Sequence, residues 1–172
     1  RRADDINVLV LGAGQMGAAV ATRLAAQGYR VSSWRARDAA PLAAALANAE
    51  IVINLLPLTP TTHGLLDARL FAEMRRGASL VNLARGAHVV DADLMASLDC
   101  GHLHRAVLDV FHSEPLPAEH PFWGAEAIIV LPHIGGPHPQ RDRIVAKLFV
   151  DNLGRFLDGQ PLKEVVDRSA GY

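Results

Sequence analysis

The sequence predicts an α/β domain with a doubly wound parallel sheet, and three observations carry that prediction. Strand-like apolar runs alternate with Ala-rich helical stretches along the whole chain. The first run, Ile6–Leu11, is nearly continuous in apolar residues, as in a parallel strand covered on both faces. It leads directly into Gly12-Ala13-Gly14-Gln15-Met16-Gly17, a glycine turn that opens a helix. Strands and helices in this alternation pack as βαβ units with right-handed crossovers.

The elements follow in order. After Ile6–Leu11, Met16–Gln27 is Ala-rich and helical, and Gly28 is a natural C-terminal stop. Arg30–Trp34 reads as the second strand. Pro41–Asn48 is a short helix opened by proline. Ile51–Leu55 is the third strand, and Asp67–Met74 is helical. Ser79–Leu83 is the fourth strand, and Asp91 is placed as N-cap of a helix reaching about Asp99. Arg105–Val110 and Ile128–Leu131 are strands five and six. Arg141–Leu157 is a longer helix closed by Gly159 and Pro161. There are no repeats, charge blocks or low-complexity linkers, so residues 1–172 read as a single domain.

Composition narrows the function classes. Half of the 172 residues are apolar and the net charge is −1, which argues against disorder and against a general nucleic-acid binder. No apolar run is long enough to span a bilayer. Cys100 is the single cysteine, so no intrachain disulfide can form, and a reducing, cytoplasmic setting is expected. Cys100 itself reads as a helix-end residue. The chain opens on Arg1 without an initiating Met, which reads as a fragment or a trimmed chain.

The glycine turn makes a nucleotide the expected ligand of a Rossmann-type sheet. Gly12 permits the tight turn, Gly14 lets a pyrophosphate approach the backbone, and Gly17 lets the helix pack closely on the strand. Gln15 and Met16 lie in the first helical turn, whose amides and partial positive charge suit phosphate. At the end of strand two, an NAD site usually carries an acid for the ribose 2′-hydroxyl. This chain has Trp34-Arg35-Ala36-Arg37 there, suited to a 2′-phosphate. Two charge-assisted contacts of at least ~1.5 kcal/mol each would favour NADPH over NADH by on the order of 100-fold. NADP(H) is therefore the expected cofactor, with NAD(H) the second option. Trp34 either flanks the adenine or covers the sheet.

Three residues then suggest a reaction. Arg85 stands in Asn82-Leu83-Ala84-Arg85-Gly86, Glu114 in Ser113-Glu114-Pro115, and His133 in Leu131-Pro132-His133-Ile134-Gly135-Gly136. Each follows a predicted strand, where ligands bind in such sheets. Reducing a 2-keto acid requires a group to hold the carboxylate, one to polarise the carbonyl and one to deliver a proton. Arg85 can do the first two and His133 the third, with Glu114 accepting the other ring N–H and stabilising the imidazolium. The other histidines, His63, His88, His102, His104, His112, His120 and His138, are expected at the surface or in loops. None of their spacings makes a metal site.

On these motifs the chain resembles the NAD(P)-binding domain of D-2-hydroxyacid dehydrogenases, and within that family the bacterial A-type glyoxylate/hydroxypyruvate reductases. Leu55–Thr62, Leu108-Asp109-Val110-Phe111 and the ending Val166–Tyr172 also carry the likeness. The resemblance implies Arg85 as carboxylate binder, His133 as acid/base and Glu114 as its partner. It also implies Asp109 at the nicotinamide end, Leu56, Pro57, Leu83 and Ala84 along the cofactor, and Gly135 as a backbone neighbour. Thr62 is expected either to touch the cofactor or to cap the next helix, and the cap is the preferred reading. Family members carry a second domain closing over the cofactor, formed mostly by the N-terminal part of the chain, and that domain is expected to be missing here. The implied partners are a small 2-keto or 2-hydroxy acid and a second copy of the chain, with no nucleic acid and no membrane. A non-enzymatic NAD(P)-sensing module that recruits a protein partner is the alternative reading.

Overall fold

The computed structural model describes residues 2–35, 41–136 and 138–167. Two compact units divide the chain, Arg1–His133 and Ile134–Tyr172.

The first unit is built on a six-stranded sheet. Its strands are β1 (Asn7–Leu11), β2 (Arg30–Trp34), β3 (Ile51–Asn54), β4 (Ala78–Asn82), β5 (Leu103–Leu108) and β6 (Ile128–Val130). They lie in the order β2-β1-β3-β4-β5-β6, and every neighbouring pair is parallel. The predicted doubly wound sheet is therefore the observed one. The helices of this unit are α1 (Gln15–Ala26), α2 (Leu42–Leu46), α3 (Ala68–Glu73) and α4 (Asp91–Asp99). The chain leaves β1 toward β2 on one side and later returns to lay β3 on the other. That reversal puts the topological switch point between β1 and β3, where ligands of such sheets bind.

The core explains the apolar strand runs. Leu9, Leu11, Val52, Leu80, Leu103 and Leu108 point from the sheet into a cluster closed by Leu46, Leu66, Phe71 and Leu94. Removing Phe71, which is buried, would leave a cavity costing about 3–5 kcal/mol. Asp67 caps α3 by accepting a hydrogen bond from the Leu70 amide at 2.8 Å.

Two local expectations need correction. Asp91 is not an N-cap; Val90 takes that place, and Asp91 is the first helical residue. Its carboxylate oxygens instead lie 3.6 Å from His112 Nε2 and 3.5 Å from His120 Nε2. Strand five begins and ends two residues earlier than expected. Its register with β4, Leu80 opposite Ala106, starts just beyond the turn at Gly101, where φ is +66°. After Leu108, the Asp109 amide makes a last ladder bond to Asn82 O, and the chain turns away.

The second unit holds α5 (Arg141–Leu157) and the segment after it. That segment is tied back to the helix by Lys163 N donating to Asn152 Oδ1 at 2.9 Å and by Lys163 Nζ paired with Asp151 at 2.8 Å. No residue of α5 is buried, and Phe149, Leu153, Phe156 and Leu157 are exposed.

Candidate active site

Parallel strands end at one edge, so the loops after β1, β3, β4, β5 and β6 all leave the sheet on the same side. That edge collects Gly12–Gly17, Leu56-Pro57, Leu83-Ala84-Arg85, Asp109, Glu114 and His133. Backbone ladder bonds carry the sheet one residue further at most of these ends. Leu55 N donates to Leu11 O at 2.8 Å, Leu83 N to Asn54 O at 3.2 Å and Leu131 N to Leu108 O at 2.9 Å. The loops therefore start from fixed points.

The glycine turn is a steric device. Gly12 has φ +95°, and a Cβ there would lie 2.5 Å from Leu55 O. A Cβ on Gly17 would lie 1.7 Å from Gly12 O. Gly12 is thus required by the close approach of the turn to the backbone after β3, and Gly17 by the close approach of α1 to the turn. At Gly14 a Cβ would meet nothing within 4 Å, so the backbone faces open space at that point. Helix α1 starts there with no side-chain cap and no acid in its first turn. Its amide dipoles are not neutralised by its own residues, and Gln15 and Met16 are exposed beside them. A diphosphate fits this cradle.

Around it, Trp34 is the last residue of β2, half-buried against the apolar cluster, and so it covers the sheet. Arg35 follows it and is exposed. Arg37 lies outside the described residues. Leu56 and Ala84 are buried, while Leu83 and Pro57 are half-buried. Asp109 is buried at the end of β5. Gly135 belongs to the second unit.

The pair singled out from the sequence does meet. His133 Nδ1 lies 2.6 Å from Glu114 Oε2, and the Phe111 amide donates to Glu114 Oε1 at 2.9 Å. One carboxylate oxygen is thus anchored to the backbone and the other holds the imidazole. With Nδ1–H given to Glu114, the second ring nitrogen, Nε2, is left as the group that can exchange a proton with a ligand. The His133 hydrogen bond, followed by the Phe111 amide, holds the Glu114 carboxyl below the usual glutamate range, and the Arg85 charge acts in the same direction. His133 has φ +53°, in the left-handed region, which a non-glycine residue occupies at a cost repaid by its surroundings. Arg85 is exposed, and its Nη1 donates to Ala84 O at 2.6 Å.

Sequence reasoning missed the supports beneath these groups. Asn54 and Asn82, both fully buried, end β3 and β4 side by side. Asn54 Nδ2 donates to Asn82 Oδ1 at 3.0 Å. Each also fixes the start of its loop: Asn54 Oδ1 accepts from Leu56 N, and Asn82 Oδ1 accepts from Ala84 N, both at 3.2 Å. Asn82 Nδ2 in turn donates to Arg85 O at 3.1 Å. A polar amide closing an otherwise apolar strand, twice, was the available signal. Thr62 is not a helix cap. Its Oγ1 accepts from Thr59 N at 2.8 Å and donates to Pro57 O at 2.7 Å, which stiffens the loop after β3. His88, expected at the surface or in a loop, lies in the short turn after Arg85 and is fully buried. Its Nδ1 lies 3.1 Å from Arg85 O and its Nε2 3.2 Å from Pro57 O. Among the described residues no cluster of His, Cys, Asp and Glu could hold a metal ion.

Comparison with known proteins shows what the chain is similar to. Residues 1–135 match the family model described as D-isomer specific 2-hydroxyacid dehydrogenase, NAD binding domain. The glyoxylate/hydroxypyruvate reductase A of Serratia proteamaculans (strain 568) is 40% identical over 183 residues, covering 98% of this chain and 57% of its own length. The chain therefore spans a little over half of that relative. A D-isomer specific 2-hydroxyacid dehydrogenase from Xanthobacter autotrophicus Py2, solved with NADPH and MES, superposes with a TM-score of 0.91 at 39% identity, over 100% of this chain and 75% of that one. The NADPH-dependent glyoxylate/hydroxypyruvate reductase of Sinorhizobium meliloti, solved with NADP and sulfate, gives a TM-score of 0.93 at 36% identity, over 100% of this chain and 58% of that one.

Proposed function

Because the chain belongs to the D-isomer specific 2-hydroxyacid dehydrogenase family through its NAD binding domain, we propose that it forms the cofactor-binding part of an NADPH-dependent reductase of small 2-keto acids, glyoxylate or hydroxypyruvate. The observation that carries the reading is the His133–Glu114 hydrogen bond at the sheet edge that also presents the glycine cradle and Arg85.

In this reading residues 1–172 are one dinucleotide-binding domain. The diphosphate rests on Gly12, Gly14, Gln15, Met16 and Gly17. Arg35 and Arg37 take the 2′-phosphate beside Trp34. Leu56, Pro57, Leu83, Ala84 and Asp109 line the remainder of the cofactor. Bound NADPH supplies the hydride. Arg85 holds the substrate carboxylate with its fork of N–H donors and polarises the neighbouring carbonyl. His133 Nε2–H gives its proton to the carbonyl oxygen as that oxygen becomes the alkoxide. Glu114 keeps the ring oriented and offsets the positive charge it carries before transfer. One hydride at carbon and one proton at oxygen convert the keto acid to the 2-hydroxy acid.

The exposed apolar residues of α5 support self-association as a homodimer, since a patch of this kind is usually covered by a partner. Light scattering that finds monomers at high micromolar concentration would remove that part. The activity itself is tested by following NADPH oxidation by the complete protein with glyoxylate and with hydroxypyruvate. NADPH binding without turnover of either would favour a sensing role instead.

A further inference from the structure

His88 is a buried polar side chain to which the reading above assigns no role. It sits in the short 3-10 turn Gly86–His88 that follows Arg85, and it is completely buried. Its two ring nitrogens face two backbone carbonyls from different loops: Arg85 O after β4 at 3.1 Å, and Pro57 O after β3 at 3.2 Å. Arg85 O already accepts from Asn82 Nδ2 at 3.1 Å and from the His88 amide at 3.2 Å, and Pro57 O accepts from Thr62 Oγ1 at 2.7 Å. The ring thus stands between two short runs of hydrogen bonds, Asn54, Asn82 and Arg85 O on one side and Thr62 and Pro57 O on the other, with one ring nitrogen against each carbonyl. Further backbone bonds brace the turn from outside, Gly64 N to Ala87 O and Leu66 N to His88 O, both at 2.8 Å. Gly86 lets the turn lie against the next loop, since a Cβ there would be 1.9 Å from the Phe111 carbonyl carbon.

We propose that His88 is a positioning residue, a rigid spacer that sets the distance between the substrate-binding Arg85 loop and the cofactor-lining Pro57 loop. The proposal rests on the functional reading of Arg85 and Pro57 given above. An imidazole suits this task because it is planar and stiff and has polar atoms at both ends of one edge. Burial holds its pKa below the usual histidine range, outweighing the Pro57 and Arg85 carbonyls, which act the other way, and this direction favours the neutral ring. The neutral ring donates one N–H to one carbonyl and keeps the other at contact distance. A side chain of equal bulk without nitrogen would fill the space and lose the tie.

The test compares His88→Leu with His88→Gln in the complete protein. Leucine keeps the packing; the glutamine amide can again donate to a carbonyl. Losing one positioning hydrogen bond should raise KM for glyoxylate and for NADPH together, by about fivefold to tenfold. Amide hydrogen exchange should quicken in both 58–62 and 84–88 in the leucine variant, and glutamine should reverse both effects in large part. Unchanged KM values in a folded leucine variant, quickened exchange in one segment alone, or a glutamine variant no better than leucine would overturn the proposal. If the wild type reduces no keto acid, the functional reading falls, while the exchange rates still decide whether His88 joins the loops. If the leucine variant does not fold, the wild type carries the test by NMR. The buried His88 ring N–H should give a slowly exchanging signal that shifts when NADPH is added and again when oxalate is added. A signal unmoved by both contradicts the proposal.

Discussion

The glycine turn after β1 and the His133–Glu114 pair occupy the same edge of one sheet, yet they are built in opposite ways. The turn is made of backbone. Its residues are adjacent in sequence, and its requirement is negative: at Gly12 and Gly17 no side chain fits. The pair is made of side chains brought from two loops, and its requirement is positive: one carboxylate must reach one imidazole while the Phe111 amide holds it. A backbone site tolerates no added atom, whereas a side-chain site fails by losing one. The two should therefore break differently, and substitutions can separate them.

The largest effect belongs to the turn. Gly17→Ala would force a Cβ into Gly12 O, a backbone clash beyond the ~1–3 kcal/mol of ordinary overpacking. Thermal unfolding should show a large loss of Tm together with loss of NADPH binding. Gly14→Ala provides the contrast, because its Cβ has room. Tm should hold while calorimetry shows NADPH binding weakened by about tenfold, about 1.4 kcal/mol, as the methyl group enters the space left for phosphate. Equal damage to Tm from both variants would mean the turn is not the steric device described.

At the side-chain site stability should barely change and chemistry should. Arg85→Ala is expected to lower kcat and raise KM for the keto acid, since the guanidinium meets the carboxylate in both ground and transition states. A smaller effect is expected at the far end of the cofactor. Arg35→Ala should reduce preference for NADPH over NADH by roughly tenfold, the low end for one charge-assisted contact at an exposed position. Titrating both cofactors against the wild type and the variant checks this, and an unaltered ratio would take Arg35 out of the explanation.

The smallest effect is a titration. The Glu114 carboxyl is held below its ordinary value, first by His133. Its pairing therefore contributes to stability above that ordinary value and is lost as pH falls through the depressed folded value. Carbon-detected NMR should show the Glu114 inflection moving upward in His133→Ala. No movement would mean that the Phe111 amide, not the imidazole, governs the carboxylate.

The same contrast explains what could be read from the sequence. The turn was legible because its residues are contiguous and its glycines have a mechanical meaning. Arg85, Glu114 and His133 were legible because each follows a strand, and parallel strands deliver their ends to one edge. The supports were not legible in the same way. His88 looks like a loop histidine until β3 and β4 are placed side by side, which buries it between their loops. Thr62 was assigned to the helix ahead of it, but Asp67 caps α3 and Thr62 turns back to Pro57. Strand five was placed too late because Val110 continues its apolar run, although the ladder to β4 has ended by then. In each case the deciding partner lies far away in sequence.

The central claim is that His133, oriented by Glu114, delivers the proton in keto-acid reduction at a cofactor site that the turn builds independently. The most direct measurement is paired: NADPH affinity by calorimetry and glyoxylate turnover by NADPH oxidation, in the complete protein and in its His133→Ala variant. The account predicts unchanged NADPH affinity with kcat lower by at least roughly 100-fold, the low end for acid–base catalysis, and KM little altered. Glyoxylate reduction by His133→Ala at a rate near wild type would contradict it.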